Sequence, residues 1–316
     1  MYRYLLSLFS LFLFACTTAT AQEDSNTKTE EDKPLLEEPA SIQRSSKRGI
    51  CINKMSESEA KDLAKGCSWY YNWYFKSDFE YESVDMEFYP MVWGGDAKYL
   101  EGFTKYLQEG NKPQFVLAIN EPNLKEQANM TPEATAKVFK KIDELAKEYN
   151  FEVVGPHMAL GSGGDASIKA YDPLQKKDVV YTYMIPYMDA FYYYVGGVEN
   201  MRAVAVHTYG NIHEVKWLIG MLEKKYPGKP IWVTEFAWWA AKTPGESYTY
   251  MKEAVELFEK SESVEKYAWF MSHLKDHPTM TLFDENEKMT KLGKAYISLP
   301  FWDPKTKKMI TPVENK

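Results

Sequence analysis

Phe115 to Asn123 reads FVLAINEPN, and Pro230 to Trp238 reads PIWVTEFAW. Each is a short run of apolar and β-branched residues that stops abruptly at a glutamate, Glu121 in the first and Glu235 in the second. This is the pattern of a strand buried on both faces that delivers one carboxyl group to its C-terminal end. A carboxylate has no packing use there, because taking an unpaired charge out of water costs energy comparable with the net stability of a domain. A single such Glu is open to a plain reading, turned to solvent or salt-bridged. Two in one chain, with Asn120 ahead of the first and Thr234 ahead of the second, point to a paired-carboxylate active site.

Outward from these two runs the same pattern repeats. Apolar runs occur at 48–53, 67–73, 87–93, 114–121, 151–158, 202–209, 230–236 and 266–271, with amphipathic stretches between them. Ser56 with Glu59 has the form of a capping box, and Thr131-Pro132-Glu133 opens a helix to about Tyr149. A third helix spans Asn211 to Tyr226 and ends at Pro227-Gly228. Strands alternating with helices, with no glycine fingerprint for a dinucleotide, predict a single (β/α)8 TIM barrel, of the α/β class, over residues 48–316. The links after the second and fifth strands are longer and less regular.

In such a barrel the site lies at the C-terminal ends of the strands, and those ends are too polar and too aromatic for a core. They supply Trp69, Tyr71, Asn72 and Trp73, then Trp93, then Asn120 and Glu121, then His157. His207 and Tyr209, Glu235 with Trp238 beyond it, and Trp269 complete the rim. His207 and Tyr209 share a parity that puts both on the inner side above the small Ala203 and Ala205. His157 reads as a structural histidine, and Trp73 and Trp239 are also open to a reading as covers for a helix.

Composition narrows the partners. Acidic residues outnumber basic ones, 45 to 38, for a net charge of −7, and no basic cluster is interleaved with aromatics, which argues against nucleic acid. Nine Trp and 23 Tyr suit stacking on sugar faces or, alternatively, an aromatic-rich core. The five histidines form no metal-binding spacing, so neither a metal nor another cofactor is expected. Cys51 and Cys67 fall on neighbouring strands, where a disulfide and two buried thiols are equally open readings.

Residues 1–21 read as a signal peptide, with Arg3 ahead of an apolar run from Leu5 to Phe14 too short to span a bilayer. Leu13-Phe14-Ala15-Cys16 resembles a lipobox that would lipidate Cys16, and Ala19-Thr20-Ala21 resembles an ordinary cleavage site. Residues 22–47, rich in Glu, Lys, Ser, Thr and Pro, read as a disordered tether. The expectation is an exported monomer, a cell-surface or outer-membrane lipoprotein or else a periplasmic or secreted protein, meeting the membrane only through that anchor.

The rim motifs resemble a known family. Asn-Glu-Pro ending the fourth strand and a Glu ending the seventh is the arrangement of the clan A retaining (β/α)8 glycoside hydrolases. WYYNW at Trp69 to Trp73, PMVWG at Pro90 to Gly94, INEPN at Ile119 to Asn123, HTY at His207 to Tyr209 and WVTEFAWW at Trp232 to Trp239 look like family 128, a β-1,3-glucanase group. Thr208 departs from the aromatic residue expected between that His and Tyr. The resemblance implies hydrolysis of β-1,3-glucan with Glu121 as acid/base and Glu235 as nucleophile, and the lack of an insertion large enough to wall off one end of the cleft favours endo action. It further implies Asn120 on the sugar 2-hydroxyl, Tyr209 and His207 supporting Glu235, Trp269 as the floor at the cleavage point, and Trp69, Trp73 and Trp93 stacking along the cleft. Alternatives are another β-linked glycan (mixed-linkage, β-1,4-glucan or mannan) and a glucan-binding lipoprotein without turnover.

Overall fold

In chain order the elements are β1 (Arg48–Cys51), α1 (Glu57–Leu63), β2 (Trp69–Tyr71), β3 (Glu87–Phe88), β4 (Met91–Val92), α2 (Ala97–Gln108), β5 (Phe115–Ala118) and α3 (Pro132–Tyr149). They continue with β6 (Glu152–Val154), β7 (His157–Ala159), β8 (Ile168–Asp172), β9 (Lys177–Tyr181), α4 (Met184–Val195), β10 (Val204–Thr208) and α5 (Ile212–Lys225). The last are β11 (Ile231–Phe236), α6 (Pro244–Lys260), β12 (Val264–Trp269), α7 (Lys291–Ser298), β13 (Phe301–Asp303) and β14 (Lys308–Ile310). This computed structural model describes residues 44–79, 81, 83–161 and 166–312. The signal peptide, Cys16 and the tether as far as residue 43 lie outside them.

Residues 44–47, read above as the end of the tether, are part of the folded body. Arg44 donates to the Ala64 carbonyl at 2.7 Å, and Ser45 Oγ donates to Glu259 at 2.5 Å. Lys47 Nζ donates to the carbonyls of Phe258, Glu259 and Ser261, the C-terminal end of α6, where a cation is favoured. Composition shows a polar stretch; it does not show that a helix end waits for it.

The fold is α/β and TIM-barrel-like. Seven strands pair in parallel in the order β3, β2, β1, β12, β11, β10, β7, and three more in the order β4, β5, β6. The expected third strand is two pieces, because Pro90 offers no N–H to the ladder. After it the chain changes partner, from β2 to β5. Gly155-Pro156 divides the fifth strand in the same way, β6 pairing with β5 and β7 with β10. Gly155 has φ +142°, and a Cβ there would lie 2.2 Å from the Ala118 carbonyl oxygen, so only glycine fits.

The helix ends read from the sequence are the observed ones. Ser56 and Glu59 form a reciprocal capping box, Thr131 caps α3 with Pro132 at its first position, and Asn211 caps α5. A second capping box, Thr243 with Glu246, starts α6. The long link after β7 carries the antiparallel hairpin β8–β9, and the chain closes with the antiparallel pair β13–β14.

Strand alternation divides the core into two clusters. Phe115 and Leu117 of β5 face inward with Cys51, Trp69, Tyr89, Ala205, Trp232 and Ala268, while Val116 and Ala118 face the helices. The inner cluster is a stack of rings, with centroids 5.1 Å apart for Trp69 and Tyr89, 5.8 Å for Trp69 and Trp232, and 5.0 Å for Phe115 and Trp232. Small Ala203, Ala205 and Ala268 leave room for these rings, and Gly49 must be glycine because a Cβ would meet Trp69 at 2.2 Å. Each fully buried large side chain contributes roughly 1.5–3 kcal/mol. Cys51 and Cys67 are both buried free thiols, which decides between the two readings left open above.

Candidate active site

Two local departures from regular strand bring the glutamates to one place. Alternation along β11 turns Trp232 and Thr234 inward, so Glu235 should face the helices. The pairing with β10 slips instead: Val206 faces Val233, and the next residue, His207, faces Glu235. Thr234 is the extra residue of this bulge, and both it and Glu235 point inward. In the other strand the break is at Ile119, whose φ of +68° resets the alternation before Asn120 and Glu121.

Glu121 at φ +39° and Trp73 at φ +58° are left-handed as well. A non-glycine residue pays of order 1–3 kcal/mol in this region, most for a β-branched side chain. Three such residues cluster where the cleft opens. The strain is held by pairing on both sides: Ile119 N–H donates to Val92, Asn120 N–H to Trp93 and Glu121 N–H to His157, each at 2.8 Å.

The site is a cleft of about 620 Å³ lined by Trp73, Trp93, Asn120, Glu121, Gln127, Tyr209, Glu235, Trp239 and Phe270. One carboxylate oxygen from each glutamate and a ring nitrogen of His207 all lie within 4.8 Å of one another. Glu235 is the more heavily hydrogen-bonded acid. Its Oε1 accepts from Tyr71 Oη and Trp73 Nε1, both at 2.8 Å, and its Oε2 accepts from Tyr209 Oη and lies 3.3 Å from His207 Nδ1. Glu121 Oε1 is 2.9 Å from His207 Nδ1.

Burial raises the Glu235 carboxyl above the usual range; charge on His207 opposes this, Glu121 adds to it, and the Tyr209 and Trp73 hydrogen bonds oppose it. Burial alone would depress His207. The Glu235 charge and then the Glu121 hydrogen bond and charge outweigh it, so His207 sits above the ordinary histidine value. Burial also pushes Tyr209 and Tyr71 upward, which keeps both phenols protonated as donors.

Asn120 is 4 % exposed; its Nδ2 is 3.3 Å from Gln127 Oε1, and its Oδ1, buried in the cleft, has no protein partner. An unsatisfied buried acceptor facing a cleft is ready to take a hydroxyl hydrogen. Among the described residues, Glu121, His207 and Glu235 are the set whose donor atoms come close enough for a cation. Those atoms are already hydrogen-bonded as described.

Of the nine site residues read from the sequence, Asn120, Glu121, His207, Tyr209, Glu235, Trp73 and Trp93 come together here. Trp69 and Trp269 do not. Trp69 is fully buried in the inner stack with its indole N–H on the Lys47 carbonyl, at the opposite end of the strands. Trp269 is fully buried on the outer face of β12, among Phe236, Tyr250 and Tyr296, with its N–H on the Met280 carbonyl. A ring with no exposed face cannot stack on a sugar, and Phe270, next in the chain, lines the cleft in its place.

The sequence reading missed Gln127, Phe270 and the lining role of Trp239. It named Tyr71 but not its bond to Glu235, which no strand parity could have suggested, because only the bulge against β10 turns Glu235 inward. His157 lies behind the cleft and does not line it, with one ring nitrogen on Thr234 and the other on the Val154 carbonyl. Thr208, the departure from the family pattern, turns outward and donates to Glu214.

Paired buried acids at the open end of a TIM-barrel-like fold define the glycoside hydrolase class. A family model described as "Glycosyl hydrolase catalytic core" matches residues 49–296, and the chain belongs to that family. No curated protein matches it. Among solved structures, a GH128 subgroup II endo-β-1,3-glucanase from Pseudomonas viridiflava is 29% identical, with 82% of this chain and 100% of that one covered and a TM-score of 0.67. A subgroup II endo-β-1,3-glucanase from Sorangium cellulosum is 26% identical, covering 81% and 99%, at 0.66. A subgroup I enzyme from Amycolatopsis mediterranei, solved with laminaritriose, is 21% identical, covering 80% and 98%, at 0.58, and shares the fold.

Proposed function

We propose that this chain is a retaining, endo-acting β-1,3-glucanase, with Glu121 as the acid/base and Glu235 as the nucleophile. The observation that carries the reading is the approach of the two acids to within 4.8 Å at the floor of a cleft. Retaining hydrolases hold their carboxyl groups about 5 Å apart, and inverting ones ~6.5–9.5 Å apart to admit a water. The likeness to the Pseudomonas and Sorangium enzymes supports β-1,3-glucan as the substrate. In this reading the two sheets are arcs of one closed (β/α)8 barrel, each half of the split strands belonging to one arc.

Glu235, surrounded by donors, attacks the anomeric carbon as the anion while Glu121 protonates the departing oxygen. Glu121 then takes a proton from the water that releases the sugar, and the β configuration returns after two inversions. Asn120 Oδ1 accepts from the sugar 2-hydroxyl, a bond that tightens in the transition state. Trp73, Trp93, half-exposed Trp239 and Phe270 supply faces for successive glucose rings.

Reducing-sugar release across laminarin, curdlan, lichenan, cellulose and mannan tests this. Release from the first two, with a ladder of oligosaccharides at early times, is expected; activity confined to β-1,4-glucan or mannan refutes the linkage, and single sugars alone refute endo action. Residues 1–21 act as an export signal in this proposal, and Cys16 is the lipid attachment site of a monomeric surface protein. Cys16→Ala is expected to release the chain from the membrane fraction, and an unaltered distribution with an N-terminus at Gln22 would favour the other cleavage.

A further inference from the structure

Behind the two carboxylates a row of hydrogen bonds runs back to a backbone carbonyl. His157 Nε2 is 3.1 Å from the Val154 carbonyl oxygen, and His157 Nδ1 is 2.7 Å from Thr234 Oγ1. Thr234 Oγ1 is 3.1 Å from His207 Nε2, and His207 Nδ1 is 2.9 Å from Glu121 Oε1. His157, His207 and Thr234 are all buried.

Donor and acceptor chemistry leaves one assignment of protons. A carbonyl oxygen only accepts, so His157 Nε2 carries a hydrogen. His157 is neutral, since burial, with His207 nearby, lowers it to about 3, and its Nδ1 therefore holds a lone pair. The hydrogen between His157 Nδ1 and Thr234 must come from the hydroxyl. A hydroxyl has a single hydrogen, so toward His207 the Thr234 oxygen can only accept, and His207 Nε2 must donate.

We infer that His157 and Thr234 are positioning residues that hold His207 in its Nε2–H form, so that the one proton His207 can gain or lose sits on Nδ1, between Glu121 and Glu235. The titratable groups facing His207 are Glu121 at the end of β5, Glu235 on β11 and His157 on β7, with Tyr209, Tyr71 and Cys51 grouped behind Glu235. Charged His207 donates from Nδ1 to Glu121 Oε1, leaving the acid's own proton on its other oxygen. Neutral His207 turns a bare lone pair on Glu121 and draws that proton inward, away from a leaving group. A neutral Nδ1–H tautomer would avoid this at any pH, and the row from Val154 forbids it.

The link to catalysis rests on the proposed function; the tautomer does not. Nitrogen NMR of the full chain labelled with 15N-histidine, across a pH series, reads both. His157 is expected to stay Nε2–H throughout, and His207 to keep Nε2–H and titrate only at Nδ1. Thr234→Val removes the acceptor for Nε2–H, a bond that is stronger when His207 is charged than when it is neutral, so the His207 midpoint should fall, by up to about one pH unit. Thr234→Ser should restore it. In wild type the alkaline limb of kcat/KM on laminarin should track that midpoint, and in Thr234→Val the two should separate; a merely structural Thr234 would lower kcat without moving either. Neutral His207 carrying its hydrogen on Nδ1 in the wild-type chain, or equal midpoints for wild type and Thr234→Val, overturns the inference. If Thr234→Val does not fold, the wild-type spectrum decides alone. A chain with the expected tautomer and no activity on any β-glucan would refute the proposed function and leave this inference standing.

Discussion

Buried carboxylates occur at both ends of the strands and are treated in opposite ways. Near the N-terminal ends, Glu259 is 1 % exposed and saturated: it accepts from Ser45, from Tyr267 and from the Trp302 N–H, and lies 3.7 Å from the Arg48 guanidinium. Arg48 in turn donates to the carbonyls of Tyr296, Leu299 and Pro300, tying the last helix and hairpin to the first strand. At the other end Glu235 also accepts three hydrogen bonds, but the two acids share one histidine, no arginine or lysine among the described residues pairs with either, and an acceptor on Asn120 is left open. A buried charge that serves the fold is paired and closed off. In the proposed function, the buried charge kept for chemistry is under-compensated by opposite charge and faces a cleft.

The largest effects should come from breaking the open end. Glu121→Ala and Glu235→Ala should each lower turnover on natural substrate by at least ~10²-fold, and azide separates their roles. With an activated aryl glycoside, Glu121→Ala plus azide should form the β-glycosyl azide and Glu235→Ala the α anomer; swapped anomers would reverse the assignment. Glu121→Ala should cost the fold little, since it relieves repulsion between two acids, and Glu235→Ala should cost more, because Trp73 and Tyr209 lose their acceptor.

Glu259→Ala should do the reverse, lowering stability by ~3–5 kcal/mol by leaving Arg48 buried without its partner. Urea denaturation and kcat of the folded fraction together check this, and a stable but inactive variant would erase the contrast drawn here.

The smallest effect is in pH. Glu235 and His207 both have raised values in the fold, so each holds its proton to a higher pH than in the unfolded chain, and stability falls as pH rises through that interval. For Glu235 the fall begins at the ordinary carboxylate value; for His207 it begins near ~6.5 and ends above it. Each slope is at most ~1.4 kcal/mol per pH unit. Glu235→Gln should remove the lower window and, by taking away the charge that most raises His207, shrink the upper one, while His207→Gln should remove the upper alone, measured by denaturation at a series of pH values. A wild-type curve flat across both windows would count against the shared-histidine arrangement.

By itself the sequence determined what is local or periodic. The apolar runs marked the strands, the caps at Ser56, Thr131 and Asn211 marked helix starts to the residue, and two runs ending in Glu marked the candidate site. These are short-range consequences of backbone hydrogen bonding and burial, so they are written in neighbouring residues. Tertiary structure decided which side of the strands each residue serves. Strict alternation would have turned Glu235 to the helices, and a bulge visible only in the pairing with β10 turns it to the cleft. Trp69, Trp73 and Trp269 look alike in sequence; depth along the strand and side of the sheet make the first and last core and leave the middle one on Glu235. Ser45 and Lys47 look like tether until the C-terminal end of α6, more than 200 residues away in sequence, supplies their partners. Contacts between distant segments depend on register and twist, and neither is carried by any single stretch of the chain.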